Sequence, residues 1–336
     1  MYKSVNIVIP SITTDFRLLR CLTGISSLNY KNFFVTLILE NKINISELKK
    51  FKFLINIIIE RKKINMSEKR NIAVSKFNSK YVAFIDSDAC PSKNWLGNAN
   101  KILKKGFRVV GGPNIPFKNQ NYFQRISYYC KRSFFVTAHY NFLKYKSTSR
   151  LCDWLDSSNF IIERNLYKSI GGMNKELYIG EDHDFFYRIK DKYKNLKIFF
   201  SKNVLVYHED RELHLYCMQR FVYGLNVFTA KNKFLKRFLA LLPFMIIFLI
   251  TCITALYPSK NILSLFIFLF LIVCTIIFLQ ISKYVDSFFD KLVVIIGVFL
   301  VNLFYGIGTL FSLFGLRKIF EKIIYRNIKK IKNDKF

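Results

Sequence analysis

Phe84-Ile85-Asp86-Ser87-Asp88-Ala89-Cys90-Pro91 decides how this chain is read. The apolar run from Tyr81 to Ile85 reads as a β-strand, and it delivers two carboxylates one residue apart at its end. Hard divalent cations take oxygen ligands, and Mg²⁺ is commonly shared between one or two carboxylates and a substrate's phosphates. Ligands of open α/β sheets sit at the strand ends. The stretch therefore predicts a metal–diphosphate site.

Upstream, residues 1 to about 110 alternate strand and helix patterns. Val5 to Ile9 reads as a strand closed by Pro10, Arg17 to Leu28 as a helix, and Phe34 to Leu39 as a second strand ending at Glu40. Phe53 to Ile59 is a third strand, Ser67 to Phe77 a helix, and Tyr81 to Ile85 the fourth strand. Such alternation predicts crossover units and a mostly parallel sheet. Met1-Tyr2-Lys3 leads at once into the first strand, so no signal peptide is expected.

Downstream, Gly180-Glu181-Asp182-His183-Asp184-Phe185-Phe186 is the second dense acidic stretch. A glycine followed by acidic residues suits a helix N-terminus, where the macrodipole favours negative charge, and that reading needs no chemistry. Two neighbours point to chemistry instead. One is the polar and glycine-rich tract Asp156-Ser157-Ser158-Asn159 with Ser169-Ile170-Gly171-Gly172-Met173-Asn174. The other is Val204-Leu205-Val206-Tyr207-His208-Glu209-Asp210, which carries a histidine off the end of an apolar run. A lone histidine is usually structural; this one is a candidate third ligand beside two carboxylates.

Composition bounds the partners. Lys and Arg number 53 against 22 Asp and Glu, a net charge of +31, which favours a lipid surface, a phosphorylated substrate or nucleic acid. No nucleic-acid motif is recognisable, and nucleic acid is not expected as a partner. The 7 cysteines are scattered without a Cys-x-x-Cys pair, which argues against a zinc site or a disulfide framework and suits a reducing compartment.

Past residue 237 come three apolar stretches, Phe238 to Tyr257, Ile262 to Ile281 and Leu292 to Leu316. About 20 uncharged residues span a hydrocarbon core. Asn302, Gly306, Gly308 and Gly315 interrupt the third, which is compatible with spanning, re-entering or lying in the interface. Lys231, Lys233, Lys236 and Arg237 precede the first stretch, whereas the link to the second carries only Lys260. The N-terminal domain is therefore expected in the cytoplasm, with a multi-pass anchor in the inner or plasma membrane. Three full crossings would put the tail outside, yet Arg317 to Lys335 holds eight basic residues. Either the third stretch does not cross or the tail departs from the rule. The tail also reads as an amphipathic helix, with Ile319, Phe320, Ile323, Ile324, Ile328 and Ile331 against Lys and Arg, suited to anionic lipid. The expected division is a domain over 1–230, a membrane-embedded region over 238–316 (238–257, 262–281, 292–316) and a basic tail over 317–336.

The chain resembles a family-2 glycosyltransferase of the GT-A fold, membrane-anchored, of the kind that builds bacterial surface polysaccharides. The likeness covers roughly residues 4 to 230. It rests on Val8-Ile9-Pro10, Arg70-Asn71, Asp86-Ser87-Asp88-Ala89 with Pro91 and Trp95-Leu96, Gly111-Gly112, Asn159-Phe160, Gly171-Gly172 and Gly180-Glu181-Asp182-x-Asp184, in that order. It implies an α/β nucleotide-sugar-binding fold with a mostly parallel central sheet, followed by transmembrane helices. It implies that Asp88 contacts a divalent cation, Mg²⁺ or Mn²⁺, while Asp86 faces the donor's ribose or the metal's water, and that His208 completes the metal site, as in some members. Asp182 matches the general base. Pro10 and Ser11 would lie against the nucleotide base, and Arg70 and Glu181 fall among the substrate-binding residues. Glu40-Asn41 departs from the family, which commonly has Asp there to hold the base.

The activity implied is inverting transfer of a sugar from a nucleotide-diphosphate sugar to a hydroxyl of a membrane-associated, lipid-linked glycan acceptor. Processive synthases carry Gln-x-x-Arg-Trp after the base; Cys217-Met218-Gln219-Arg220-Phe221 does not match, so one sugar per encounter is expected. Tyr122, Phe123, Tyr128, Tyr129, Phe134 and Phe135 lie where the family often builds acceptor contacts, with packing as the alternative. The rival function is a catalytically silent membrane scaffold of a polysaccharide-assembly complex, against which the intact acidic set argues.

Overall fold

The computed structural model describes residues 4–12, 14–40, 45–60, 62, 64–137, 143, 145, 148–177, 179–227, 260–317 and 319–320. The apolar stretch 238–257, the basic cluster before it, Asn41 and the tail beyond 320 lie outside the described residues. The chain divides into two compact units, Met1–Gln120 with Phe142–Glu209, and Asn121–Asn141 with Asp210–Phe336.

In the first unit, β1 (Val5–Pro10), β2 (Phe33–Leu39), β3 (Ile55–Ile59) and β4 (Tyr81–Ile85) pair in parallel in the order β3-β2-β1-β4. The crossovers hold α1 (Phe16–Ser26) between β1 and β2, and α2 (Met66–Lys76) between β3 and β4. Every residue of β1 and β2 is buried, as in strands covered on both faces, which is why they read as unbroken apolar runs. The side chains of Asp15 and Asn65 start the two helices by accepting the N–H groups of Arg17, Leu18 and Glu68.

The sheet continues through short strands. After β5 (Ala89–Pro91) and α3 (Trp95–Leu103) come β6 (Val109–Gly111), β7 (Asn114–Pro116), β8 (Arg150–Cys152) and β9 (Asn159–Glu163). α6 (Arg164–Ser169), α7 (Glu181–Lys192), β10 (Ile198–Phe200) and β11 (Val206–His208) follow, with α4 (Tyr122–Arg132) and α5 (Phe134–Thr137) belonging to the second unit. The main sheet has the order β3-β2-β1-β4-β9-β6-β10-β8, with β9 antiparallel to both neighbours and β8 antiparallel to β10. The expected mostly parallel α/β sheet is present. The small sheet β5-β11-β7 sets His208 opposite Ala89, and so beside the carboxylate-bearing turn.

The second unit is helical: α4 (Tyr122–Arg132), α5 (Phe134–Thr137), α8 (Leu213–Leu225), α9 (Lys260–Ile281) and α10 (Phe288–Leu313). Leu263–Ile281 and Phe288–Leu313 are long and apolar enough to cross a membrane. The third apolar stretch forms one continuous helix through Asn302, Gly306 and Gly308, because a glycine in a long, packed helix costs only about 1 kcal/mol. Ile126, Cys130, Tyr216, Ile277, Ile281, Val294, Val298 and Val301 form its shared core, and Tyr122 and Tyr129 pack against it, while Phe123 and Phe134 are exposed.

Candidate active site

Three consecutive residues of α2, spaced about 100° apart around the helix, organise the site. Lys69, fully buried, donates from Nζ to Glu40 Oε1 at 2.8 Å and to the Ser11 carbonyl at 2.7 Å. It ties together the chain ends that leave β1 and β2. Arg70 donates from Nη2 to Asp86 Oδ1 at 2.8 Å and from Nη1 to Glu181 Oε1 at 3.2 Å. One guanidinium thus joins the end of β4 to the first residue of α7. Asn71 donates to the Met173 carbonyl at 2.7 Å and accepts from the Met173 N–H at 2.9 Å and from the Tyr167 hydroxyl at 2.6 Å.

The turn that Asn71 holds contains Gly171 and Gly172, with φ of 80° and 74°. Such dihedrals favour glycine, and a Cβ on Gly172 would overlap Asn71 Oδ1. Arg188 closes the turn from the other side, donating to the carbonyls of Ile170 at 2.7 Å and Gly172 at 2.8 Å while its Nε donates to Asp184 at 2.8 Å. The Asp184 carboxylate is thereby held within this turn, whereas the Glu181 carboxylate faces Arg70. Asn159 is likewise a buried hub, accepting from Trp95 Nε1 at 2.8 Å and donating to the carbonyls of Pro113 and Val204.

Asp86, Asp88 and His208 each offer a ligand atom, all within 4.8 Å of one another. His208 Nε2 lies 3.4 Å from Asp88 Oδ1 and 4.0 Å from Asp86 Oδ2. Its Nδ1 is 2.9 Å from the Glu209 carbonyl, which can only accept, so Nδ1 donates there and Nε2 is the ring nitrogen turned to the aspartates. Two carboxylates and an imidazole suit a divalent cation of the Mn²⁺ or Mg²⁺ kind. Arg20 braces this corner, donating from Nη2 to Glu209 Oε2 at 2.7 Å and to the Asp88 carbonyl at 3.4 Å, with its guanidinium 4.0 Å from the Phe117 ring centre.

Burial pushes the Glu181 carboxyl up to about 7, helped by the neighbouring Asp182 charge. Burial likewise pushes Asp182 up to about 6, with Asp156 adding to it and the backbone N–H groups of His183 and Ser157 opposing. A carboxylate poised near neutrality at the mouth of a helix is equipped to accept a proton. Asp156 itself accepts from Asn114 Nδ2 at 2.9 Å.

Of the site residues expected from sequence, the structure brings Asp86, Asp88 and His208 into one cluster and links it to Glu181 through Arg70. Ser11 and Glu40 meet at Lys69, and Pro10 ends β1. Lys69 and Arg20 escaped sequence reasoning, while Asp156 and Glu209 were read there only as members of longer stretches, with no role of their own. A signal for Lys69 was present: α2 lacks an apolar stripe, and its buried positions include Ser67, Lys69 and Arg70. Lys69→Met is expected to destabilise the fold by roughly 3 kcal/mol, the scale of leaving one member of a buried ion pair without its partner. A thermal melt of the full chain reads it, and an unchanged Tm would refute the pairing.

Residues 33–257 match a family profile described as glycosyltransferase like family 2. Among solved structures, a mannosyltransferase from Pyrobaculum calidifontis in complex with GDP-Man and Mn²⁺ aligns at a TM-score of 0.60 and 13% identity, over 92% of this chain and 86% of that one. S. aureus TarS aligns at 0.47 and 16% identity over 68% of this chain, which spans 40% of TarS. Its 1–349 portion in complex with UDP-GlcNAc aligns at 0.48 and 14% identity over 93% of this chain and 92% of that one. At 13% identity the likeness to the mannosyltransferase is one of fold. No curated protein matches the chain.

Proposed function

The chain belongs to glycosyltransferase-like family 2, and from that premise we propose that it transfers one sugar, with inversion, from a nucleoside-diphosphate sugar to a hydroxyl of a membrane-associated, lipid-linked glycan acceptor in cell-surface polysaccharide synthesis. The observation that carries the reading is the Asp86–Arg70–Glu181 bridge, which couples the Asp-Asp-His cluster to the residue preceding Asp182. Donor activation and proton acceptance thereby share one rigid frame.

Asp88, Asp86 and His208 would hold the divalent cation, which when bound supplies a Lewis acid for the charge that builds on the departing diphosphate. Asp182 accepts the acceptor's hydroxyl proton as that oxygen forms its bond to the anomeric carbon. The bond from that carbon to the diphosphate oxygen breaks on the opposite face, which inverts the centre. Glu181 and Arg70 act by holding: the guanidinium compensates both carboxylates and fixes Asp86. Lys69 holds Glu40 and the Ser11 carbonyl at the strand ends assigned to the base. The same reading puts the chain at the inner membrane with the first unit in the cytoplasm; the two long apolar helices and the basic residues at 231–237 support it.

A thermal-shift panel tests this, using UDP-, GDP- and dTDP-sugars with Mn²⁺ or Mg²⁺ and the full chain in detergent. One nucleotide class is expected to raise Tm, and only with a cation, since a ligand at 100 times its Kd stabilises by about 2.7 kcal/mol. A flat response to every donor with both ions would overturn the proposal.

A further inference from the structure

Resting on the function proposed above, we propose that Trp154 and His183 form the platform for the acceptor. It takes the ring of an uncharged pyranose, the acceptor's terminal sugar, and sets one hydroxyl of that sugar against Asp182.

The connection from β8 to β9 runs antiparallel to α7 and is fastened to it at three places. Asp153 pairs with Lys190, near the end of the helix. Trp154 lies against His183, with ring centres 3.8 Å apart and planes tilted by 37°. The Ser157 hydroxyl donates to Glu181 Oε1 at 3.4 Å, and the Ser157 backbone N–H to Asp182. Leu155, fully buried, pins the connection from inside, and Trp154 beside it stays half-buried. The connection is thus a wall along α7, with the Trp154 ring set into it. His183 follows Asp182 directly, and its N–H donates to Asp182 Oδ1 at 2.8 Å. Tyr187, one turn further along the same helix face, is 46% exposed and continues the aromatic surface.

That surface suits a sugar. A pyranose has a face of C–H bonds rimmed by hydroxyls. An aromatic ring offers apolar area and a negative face to the C–H groups. Ionised carboxylates only accept hydrogen bonds, which a hydroxyl rim donates. Aromatic area with a few placed polar groups is the usual make-up of a small-molecule site.

Position favours the acceptor's sugar over the donor's. The wall's contacts run to Glu181, Asp182 and His183, and Arg70 stands between Glu181 and Asp86 of the cation cluster. A ring on Trp154 therefore lies on the side of the group that accepts the proton.

Charge favours a neutral sugar. Asp153, Asp156, Glu181 and Asp182 line this wall; among the described residues Lys190 is engaged by Asp153, and Arg70 is shared between Glu181 and Asp86. A uronate or a phosphorylated sugar would meet like charge here, and like-charge juxtaposition is how interfaces turn partners away. A hexose or an N-acetylhexosamine would not.

The test uses the full chain in a detergent without a sugar headgroup, with Mn²⁺ and a panel of methyl pyranosides: glucoside, galactoside, mannoside, both N-acetylhexosaminides and the glucuronide. The chain has 2 tryptophans, and Trp95 is fully buried, so acrylamide quenching reports on Trp154. At least one neutral pyranoside is expected to shield Trp154, and the glucuronide to leave it open. In nucleotide-release assays Trp154→Leu should raise the KM for that pyranoside about tenfold, the scale of one lost aromatic contact, while the donor KM stays, and Trp154→Phe should restore most of the loss. Loss of packing alone would move both KM values and the Tm. No shielding by any neutral pyranoside, or an unchanged pyranoside KM in Trp154→Leu, would overturn the proposal. A rise in the donor KM would put the donor's sugar on the ring and overturn it too, and a glucuronide that shields as well as the neutral sugars would overturn the selection by charge. A parent chain that releases nucleotide from no donor would sink the function reading instead, and the quenching arm would still decide the platform.

Discussion

Asp88→Asn is expected to lower sugar transfer about a thousandfold. The substitution keeps the side chain's shape and removes the charge beside His208 Nε2, 3.4 Å away. Lewis-acid stabilisation of a leaving group is worth several kcal/mol, and about 1.4 kcal/mol is tenfold in rate. Initial rates of nucleoside-diphosphate release, taken across a Mn²⁺ titration, read the effect. The loss should persist at saturating donor, and the cation-dependent rise in Tm should shrink with it. An Asp88→Asn enzyme within threefold of the parent would remove the Asp-Asp-His cluster from the reaction.

Asp182→Asn is the second large loss, about 10²- to 10⁴-fold, the usual contribution of a positioned general base. Its pH dependence distinguishes this role from mere packing. Burial, with Asp156 adding, raises the Asp182 carboxyl to about 6, so the group carries a proton below that pH and is free to accept one above it. The parent kcat/KM should therefore rise through pH about 6, and Asp182→Asn should flatten that limb. Asp156→Asn removes a like charge and should move the limb to lower pH. An unchanged limb in Asp182→Asn would assign the proton transfer elsewhere, with Glu181, raised to about 7, as the next group to examine.

Local pattern carried the parts of the fold that local forces decide. Tyr81 to Ile85 is a strand with the bounds expected of it, since an apolar run closed by Asp-Ser-Asp has no other stable use. Gly180, with φ of 76°, starts α7 where the glycine and the acidic turn implied. The Arg70-Asn71, Gly171-Gly172 and Asp184 motifs were visible as residues, but their meaning was not. They turn out to be one clamp, made by hydrogen bonds between residues up to 111 positions apart.

The paired aspartates, the acidic helix start and the apolar C-terminal half belong to the sequence alone, because composition and short-range periodicity encode them without help from distant chain. Which atoms meet belongs to the tertiary structure. β9 enters the sheet antiparallel, β11 pairs with β5 and carries His208 to Asp88, and Arg70 links β4 to α7. α10 illustrates the division most sharply. Its sequence is apolar almost all round and so says only that it shuns water; the close glycine contacts with α8 decide which flank is covered by protein. Burial is a property of a residue's neighbours in space, and those neighbours come from segments that no local window contains.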